Sequence, residues 1–147
     1  MIKLAWNNQT SCGDLVFDGG IQQGDELETA ILLSLFTWRR AEPDDDVPDK
    51  FNRLGFWGDT YPDVPGDLFG SRLWLLDGKK ANAETLVLAD TLVREALQWM
   101  LEDGVASVIE PEISRGADDQ LQINLWIERP GDLAPKYYQI WEGVIDG

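Results

Sequence analysis

The chain has 147 residues, of which 44% are apolar, and it carries 27 acidic and 12 basic residues, a formal net charge of −15. Because so negative a surface repels nucleic-acid phosphates and anionic lipid headgroups, we expect neither a nucleic acid nor a membrane as a partner. The chain has no histidine and a single cysteine, which excludes an internal disulfide, the nucleophile pairs that need histidine, and most zinc sites.

This length and apolar content fit a single domain over residues 1–147. We expect no cofactor and no metal. The first predicted element is a short strand at residues 15–17, followed by a turn at Gly19 and Gly20. The next is a helix at about residues 25–40, which begins with acidic residues and ends with two arginines. Apolar residues lie on both sides of this helix, so we expect it to be buried on more than one face. One of these faces consists of Leu27, Ala30, Ile31, Leu35 and Trp38.

A long acidic and aromatic loop is predicted at residues 41–70, because its closely spaced prolines and aspartates neither continue a helix nor build a core. The aspartates at 44–46, with Asp49, lack the spacing of a calcium-binding EF-hand loop, so we interpret them as part of a solvated acidic loop. Many acids cluster in loops rather than along an exposed helix or sheet. This distribution also disfavours an inhibitor that mimics DNA.

The stretch Gly55–Trp74 suggests a glycan-binding or carbohydrate-active site, because it places aromatic side chains beside aspartates. A glycosidase needs two carboxyl groups about 5 to 9.5 Å apart across the sugar, and Asp59, Asp63 or Asp67 is available for that role. In so acidic a chain, however, aspartates near aromatics are expected by chance. The alternative is an ordered docking loop whose aspartates form turns, followed by a short helix at about residues 67–77.

The rest of the chain predicts a second helix and a sheet. Residues 82–103 have an apolar face at helical spacing, with Asn82 as the N-cap and Gly104 as the terminator. After Gly104 the period of the apolar residues changes from helical to alternating. We therefore expect an α+β fold, in which two main helices pack with a small antiparallel meander. Its strands are predicted at about 105–114, 120–129 and 136–143.

Aromatic residues of the predicted sheet form a candidate partner-binding surface. Trp126 falls on the nominally polar face of the middle strand, and Trp141 lies near the end of the last strand, which is expected to be a sheet edge. An unpaired edge invites strand addition from another chain. Tyr138 and Ile140 on the same strand, and Trp57 in the loop, complete this surface.

Glu110, Pro111 and Glu112 form a second candidate contact. A proline inside a strand removes a backbone donor, which favours a sheet edge or a bulge. Two carboxylates on one side of a strand repel each other unless a basic group lies between them. That group is Arg115 or Arg129 of the same chain, or it belongs to a partner.

Several segments, taken in order, carry a resemblance to a known family. They are AILLSLFTWRRAEPDD, GFWGD, FGSRLWLL, EALQWMLEDGVA, and IEPEI followed by LQINLWI. Together, from about Asp14 to Trp141, they resemble the Mu-like phage baseplate proteins of the contractile-tail sheath-initiator (phage W-type baseplate wedge) family. PGDLFGSRLW is similar to the family's "PxFG" loop ending, and Glu110 and Pro111 match its Glu-Pro-Arg motif, whereas Glu112 stands where arginine is usual.

The resemblance implies a structural, non-enzymatic role in the baseplate of a contractile tail. Such proteins dock on the wedge near the tail tube and offer a sheet edge on which the first ring of sheath subunits assembles by strand exchange. The implied partners are therefore other wedge proteins and sheath subunits, with about six copies per tail from the tail's symmetry. The implied location is the virion, after assembly in the bacterial cytoplasm. Glu112 departs from the arginine of the family's motif, and a glutamate at this position favours a basic partner surface.

Overall fold

The computed structural model describes residues 4–7, 12–15, 25–48, 53, 55–61, 63, 65 and 68–144. Near the start of the chain, β1 (Leu4–Asn7) and β2 (Cys12–Leu15) pair antiparallel. The strand predicted at residues 15–17 shares only Leu15 with β2, and its glycine turn lies outside the described residues. The sequence pattern did not predict β1.

Helix α1 (Glu26–Phe36) begins where Asp25 accepts a hydrogen bond from the backbone N–H of Leu27, at 3.0 Å. The apolar residues on both sides of α1 are buried to different degrees, because Leu32 joins the core while Leu33 is partly exposed. Two-sided burial is therefore confirmed only in part.

The helix ends at Phe36, four residues before the predicted end, because the chain that follows bonds to a distant segment. Ser71 donates its N–H to the carbonyl of Thr37 at 2.8 Å and accepts the N–H of Arg39 at 2.9 Å, which makes a parallel bridge between Trp38 and Ser71. The expectation that Trp38 lies on a helical core face is therefore wrong, and its side chain is 55% exposed.

Helix α2 (Ala83–Glu102) is the longest element, and its predicted bounds are confirmed within one residue at each end. Asn82 caps it by accepting the N–H of Thr85 at 2.9 Å. Before α2, the helix predicted near residues 67–77 is a single 3₁₀ turn at Leu73–Leu76, and another 3₁₀ turn spans Trp57–Thr60. Asp67, the expected cap, lies outside the described residues.

Three strands form an antiparallel sheet in the order β3 (Val108–Arg115), β4 (Gln120–Glu128) and β5 (Lys136–Val144). The predicted meander and the α+β class are confirmed. One face of the sheet packs on the helices and builds the core, because the alternate residues of β4 on that face are almost fully buried. These β4 residues are Leu121, Ile123, Leu125 and Ile127. In the described part of the chain, no helix combines the length and apolar character of a membrane span.

Candidate functional site

The outer face of the sheet, opposite the helices, displays large aromatic side chains. We define it by the residues that alternate with the core residues and line up across the three strands: Val108, Glu110, Glu112, Asn124, Trp126, Tyr137 and Gln139. Trp126 and Tyr137 are 44% and 47% exposed. Their ring centroids lie 4.7 Å apart with a tilt of 50°, so the two rings form one apolar surface on the outer face. The expected exposure of Trp126 is confirmed.

Two rows of side chains cross the outer face. In one row Glu110, Trp126 and Tyr137 stand opposite one another on successive strands. The next row consists of Glu112, Asn124 and Gln139. Rows on one face are about 7 Å apart along a strand, so Trp126 and Asn124 form the centre of this surface, with a carboxylate beside each of them on β3.

The outer edge of β3 has few backbone groups available for pairing with another strand. Gly116, next to the end of β3, donates its N–H to the carbonyl of Gln120 at 2.8 Å. Along an antiparallel strand the backbone N–H and C=O groups of successive residues point alternately to the two sides. The even-numbered residues of β3 therefore bond to β4. The odd-numbered residues face the open side, where Pro111 has no N–H to offer. Arg94 of α2 also reaches this side and donates to the carbonyl of Ile109 at 3.3 Å. The sequence favoured a sheet edge or a bulge at Pro111, and the edge position is confirmed.

Arg94 also provides the basic group that Glu110 needs. Its guanidinium donates to Glu110 at 3.2 Å and to Asp90, one helical turn away, at 2.8 Å. These hydrogen bonds, the one to Asp90 above all, raise the pKa of Arg94 against the lowering effect of burial. The expected basic groups were Arg115, Arg129 or one from a partner protein. Arg115 pairs with Asp119 instead, and Arg129 has no ion pair with another described residue. Glu112 has no hydrogen-bond or ion-pair partner among the described residues.

The edge of β5 is open along its first half. Since the odd-numbered residues of β4 bond to β5, Lys136 and Tyr138 are paired, and the backbone groups of Tyr137 and Gln139 point away from the sheet. A bulge opposite Ile123 and Asn124 then interrupts the ladder. No strand lies beyond β5 in the part of the chain that the structure describes. The expected edge position of the last strand is therefore confirmed.

The other candidate residues of β5 face the core or lie outside what can be described. Ile140 is buried. Tyr138 packs against the core, and its hydroxyl donates to Asp25 at 3.1 Å, which ties β5 to the start of α1. Burial and the nearby charge of Asp25 raise the pKa of Tyr138 to about 12. Trp141 stands opposite Ile123 in the register, but its side chain is outside the described residues.

The aromatic loop divides into exposed and anchored side chains. Trp57 and Tyr61 are 81% and 88% exposed. Trp74 is partly buried, and its indole N–H donates to the carbonyl of Arg39 at 2.8 Å. Asp59, a candidate acid for sugar chemistry, instead accepts the backbone N–H of Phe69 at 3.2 Å. Trp57 and Tyr61 are therefore exposed, whereas Asp59 bonds within the loop.

An ion-pair network fixes the loop to α2. Glu95 bonds Arg39 at 3.0 Å through one carboxylate oxygen and Arg72 at 2.6 Å through the other, and Arg72 reaches Asp45 at 2.7 Å. Desolvation lowers the pKa of Arg72, but the hydrogen bonds to Glu95 and Asp45 outweigh it, so the pKa is raised. Asp45 thus has a structural partner, although the run 44–46 was expected to be part of a solvated acidic loop.

Sequence patterns alone did not single out Arg94 or Tyr137 as members of this surface. Arg94 lies on a helix whose register against β3 cannot be read from the helical period. Tyr137 had a usable signal, because it belongs to the predicted edge strand and its neighbour Trp126 belongs to the strand before it. Counting the hairpin register would have placed the two rings together.

Comparisons with known proteins identify a matching family and two similar proteins. The family model described as "Phage protein GP46" matches residues 27–133, which include α1, α2, β3 and β4 and end before β5. The chain is 42% identical over 110 residues to the "Baseplate protein gp46" of Escherichia phage Mu, covering 74% of this chain and 72% of that protein. It is 37% identical over 110 residues to the "Mu-like prophage FluMu protein gp46" of Haemophilus influenzae, again covering 74% of this chain and 72% of that protein.

Proposed function

This chain belongs to the GP46 family of Mu-like phage baseplate proteins, and we propose that it docks on neighbouring wedge proteins near the tail tube and offers the edge of β5 to the first sheath subunits. It is a structural protein of the virion tail baseplate. Its docking partners, its templating role, its lack of enzymatic activity and a copy number of about six per tail are parts of the proposal.

The observation that carries this proposal is the difference between the two edges of the sheet. Pro111 and Arg94 close the edge of β3, whereas β5 presents free backbone groups at Tyr137 and Gln139. A strand of another chain gains backbone hydrogen bonds only where donors and acceptors are free. The edge of β5 is therefore the favoured site for strand addition.

The aromatic side chains near this edge support a protein partner. Trp126 and Tyr137 form an exposed apolar surface beside the open edge, and exposed aromatics are enriched at protein interfaces. Strand addition supplies affinity through the backbone, and side-chain contacts on the sheet face supply specificity. The adjacent edge and outer face together fit a subunit that adds a strand and packs its own side chains over the rings.

The alternative of a glycan-binding or carbohydrate-active protein has less support. It needs acids of the loop to be available to a sugar, but one carboxylate oxygen of Asp59 bonds the backbone of Phe69 and the other is buried. Trp57 and Tyr61 remain exposed and suit a neighbouring wedge protein as well as they suit a sugar. We therefore assign the loop to docking.

Electron microscopy of phage particles made without this protein tests the proposal. We expect tails without an organised baseplate, or tubes without sheath, and sheathed tails again when the wild-type protein is supplied from a plasmid. Normal sheathed tails in the absence of the protein would overturn the proposal. Quantitative mass spectrometry of purified tails measures the number of copies of this protein per tail. A value far from six would reject the proposed copy number.

A further inference from the structure

A buried amide oxygen without a hydrogen-bond donor lies at the centre of the outer face. Asn124 is only 8% exposed, and its Oδ1 atom has no partner in the described structure. Buried polar atoms are nearly always paired, since leaving one unpaired costs the free energy of its lost hydration. Four buried side-chain polar atoms have no partner among the described residues, and the Oδ1 atom of Asn124 is the one on the outer face of the sheet, where a donor from another molecule would pair it.

The side chains around Asn124 define what kind of donor fits. Glu112 stands directly opposite Asn124 on β3 and has no partner among the described residues. Trp126, two residues along β4 on the same face, adds the exposed ring that packs on Tyr137. The group that satisfies all three features carries positive charge, several donors and a flat surface.

We propose that Glu112, Asn124 and the Trp126–Tyr137 ring pair bind an arginine side chain from an extended basic segment of a neighbouring baseplate protein. The guanidinium stacks on the rings, donates two N–H groups to the carboxylate of Glu112 and gives a further N–H to Asn124. Lysine fits less well, because its ammonium group is neither planar nor forked. The identity of the partner as a baseplate protein rests on the function proposed above, whereas the preference for arginine rests on this surface alone.

Arg94 and Arg115, the arginines of this chain that lie against or on β3, are already engaged. Arg94 bonds Asp90, Glu110 and the carbonyl of Ile109, and Arg115 pairs with Asp119. The chain carries a net charge of −15, so a basic segment of another protein is also attracted over a longer range. Charge and geometry thus favour an arginine of a partner over one of this chain.

Peptide binding to the isolated full-length protein tests this site. The probes are two short synthetic peptides of alternating serine and a basic residue, arginine in one and lysine in the other. Affinity is measured by calorimetry at physiological salt, and the indole N–H signal of Trp126 is followed by NMR. We expect the arginine peptide to bind roughly tenfold more tightly than the lysine peptide and to shift the Trp126 signal.

Two charge-matched variants separate the site from the general charge of the protein. Glu112→Gln should lower the affinity for the arginine peptide roughly tenfold. Glu84→Gln removes the same charge at the exposed start of α2 and should leave the affinity within about twofold of the wild-type value. Equal affinity for both peptides, equal losses in both variants, or no binding would overturn the arginine site. Because this assay uses the isolated protein, such a failure leaves the baseplate role to be decided by the particle experiment.

Discussion

Pro111 of β3 stands directly opposite Leu125 of β4, with its nitrogen turned to the open side of the sheet. At this position the proline costs no hydrogen bond between β3 and β4, and it removes a donor from the exposed edge. Together with Arg94, which covers the carbonyl of Ile109, it leaves β5 as the open edge of the sheet.

Replacing Pro111 by threonine should open the second edge. The variant regains a backbone N–H on the open side of β3 and gains β propensity, so we expect concentration-dependent self-association that exceeds that of the wild type. Analytical ultracentrifugation measures it. Ser114→Thr adds a β-branched residue on the same strand without changing a backbone donor, and it is the control. Identical mass distributions for Pro111→Thr and wild type would contradict the closed-edge interpretation.

Gly70 should be far less replaceable than Gly78. Both have positive φ, 94° and 74°, so an added side chain strains the backbone at either position. At Gly70 a Cβ atom would also collide with the carbonyl of Thr37, whereas the space around Gly78 is open. By urea denaturation, we expect Gly70→Ala to lower the free energy of unfolding by about 3 kcal/mol and Gly78→Ala by about 1 kcal/mol. Equal losses would show that the close approach to Thr37 is unimportant.

Arg72 should contribute measurably to stability through its two carboxylate partners. Arg72→Ala leaves Glu95 and Asp45 partly buried without this cation, and we expect the free energy of unfolding to fall by about 2 kcal/mol. Lys79→Ala is the control, because the carboxylate of its partner Asp46 is almost fully exposed, and it should cost less than about 0.5 kcal/mol. Denaturant titration measures both. Similar losses in the two variants would contradict the role of the network.

Tyr138 should make the protein sensitive to alkaline pH. Its pKa is about 12 in the folded chain against an ordinary value of 10, so the folded state holds this proton more tightly than the unfolded state does. The resulting stability is fully present below pH 10 and is lost as the pH rises towards 12. We expect Tyr138→Phe to remove this part of the pH dependence, measured by denaturation at successive pH values.

The exposed Tyr61 supplies the control for that experiment, since Tyr61→Phe changes a ring that lies outside the core. An ultraviolet titration of the phenolate signal gives an independent reading. If Tyr138→Phe and wild type lose stability in parallel between pH 10 and 12, the hydrogen bond to Asp25 and the burial of Tyr138 do not control the titration.

Local signals predicted much of the fold. The N-cap and apolar period of α2, and the alternation along β4, hold in the structure because each depends on residues close in sequence. The end of α1 could not be predicted in this way. Thr37 leaves the helix because Ser71, more than thirty residues later, offers better-placed backbone partners, and Gly70 makes their approach possible.

The sequence predicted which residues belong to the candidate interface better than it predicted their contacts. The exposure of Trp126 and the edge position of Pro111 follow from the alternation of the strands. That Glu110 pairs with Arg94 depends on how α2 packs over the edge of β3, which is a tertiary relationship. For the same reason, the inward direction of Tyr138 and Ile140 followed from the strand register and bulge rather than from their residue types.

The most direct test of the central claim is sheath assembly on particles that carry Gln139→Pro, scored by electron microscopy against Gln139→Ala. Both variants lose the same side chain, but only proline removes the N–H from the open edge of β5, and neither disturbs a bond to β4. We predict that Gln139→Pro enters the baseplate and fails to start the sheath, while Gln139→Ala yields sheathed tails. Normal sheath on Gln139→Pro tails would contradict the claim that this edge templates assembly.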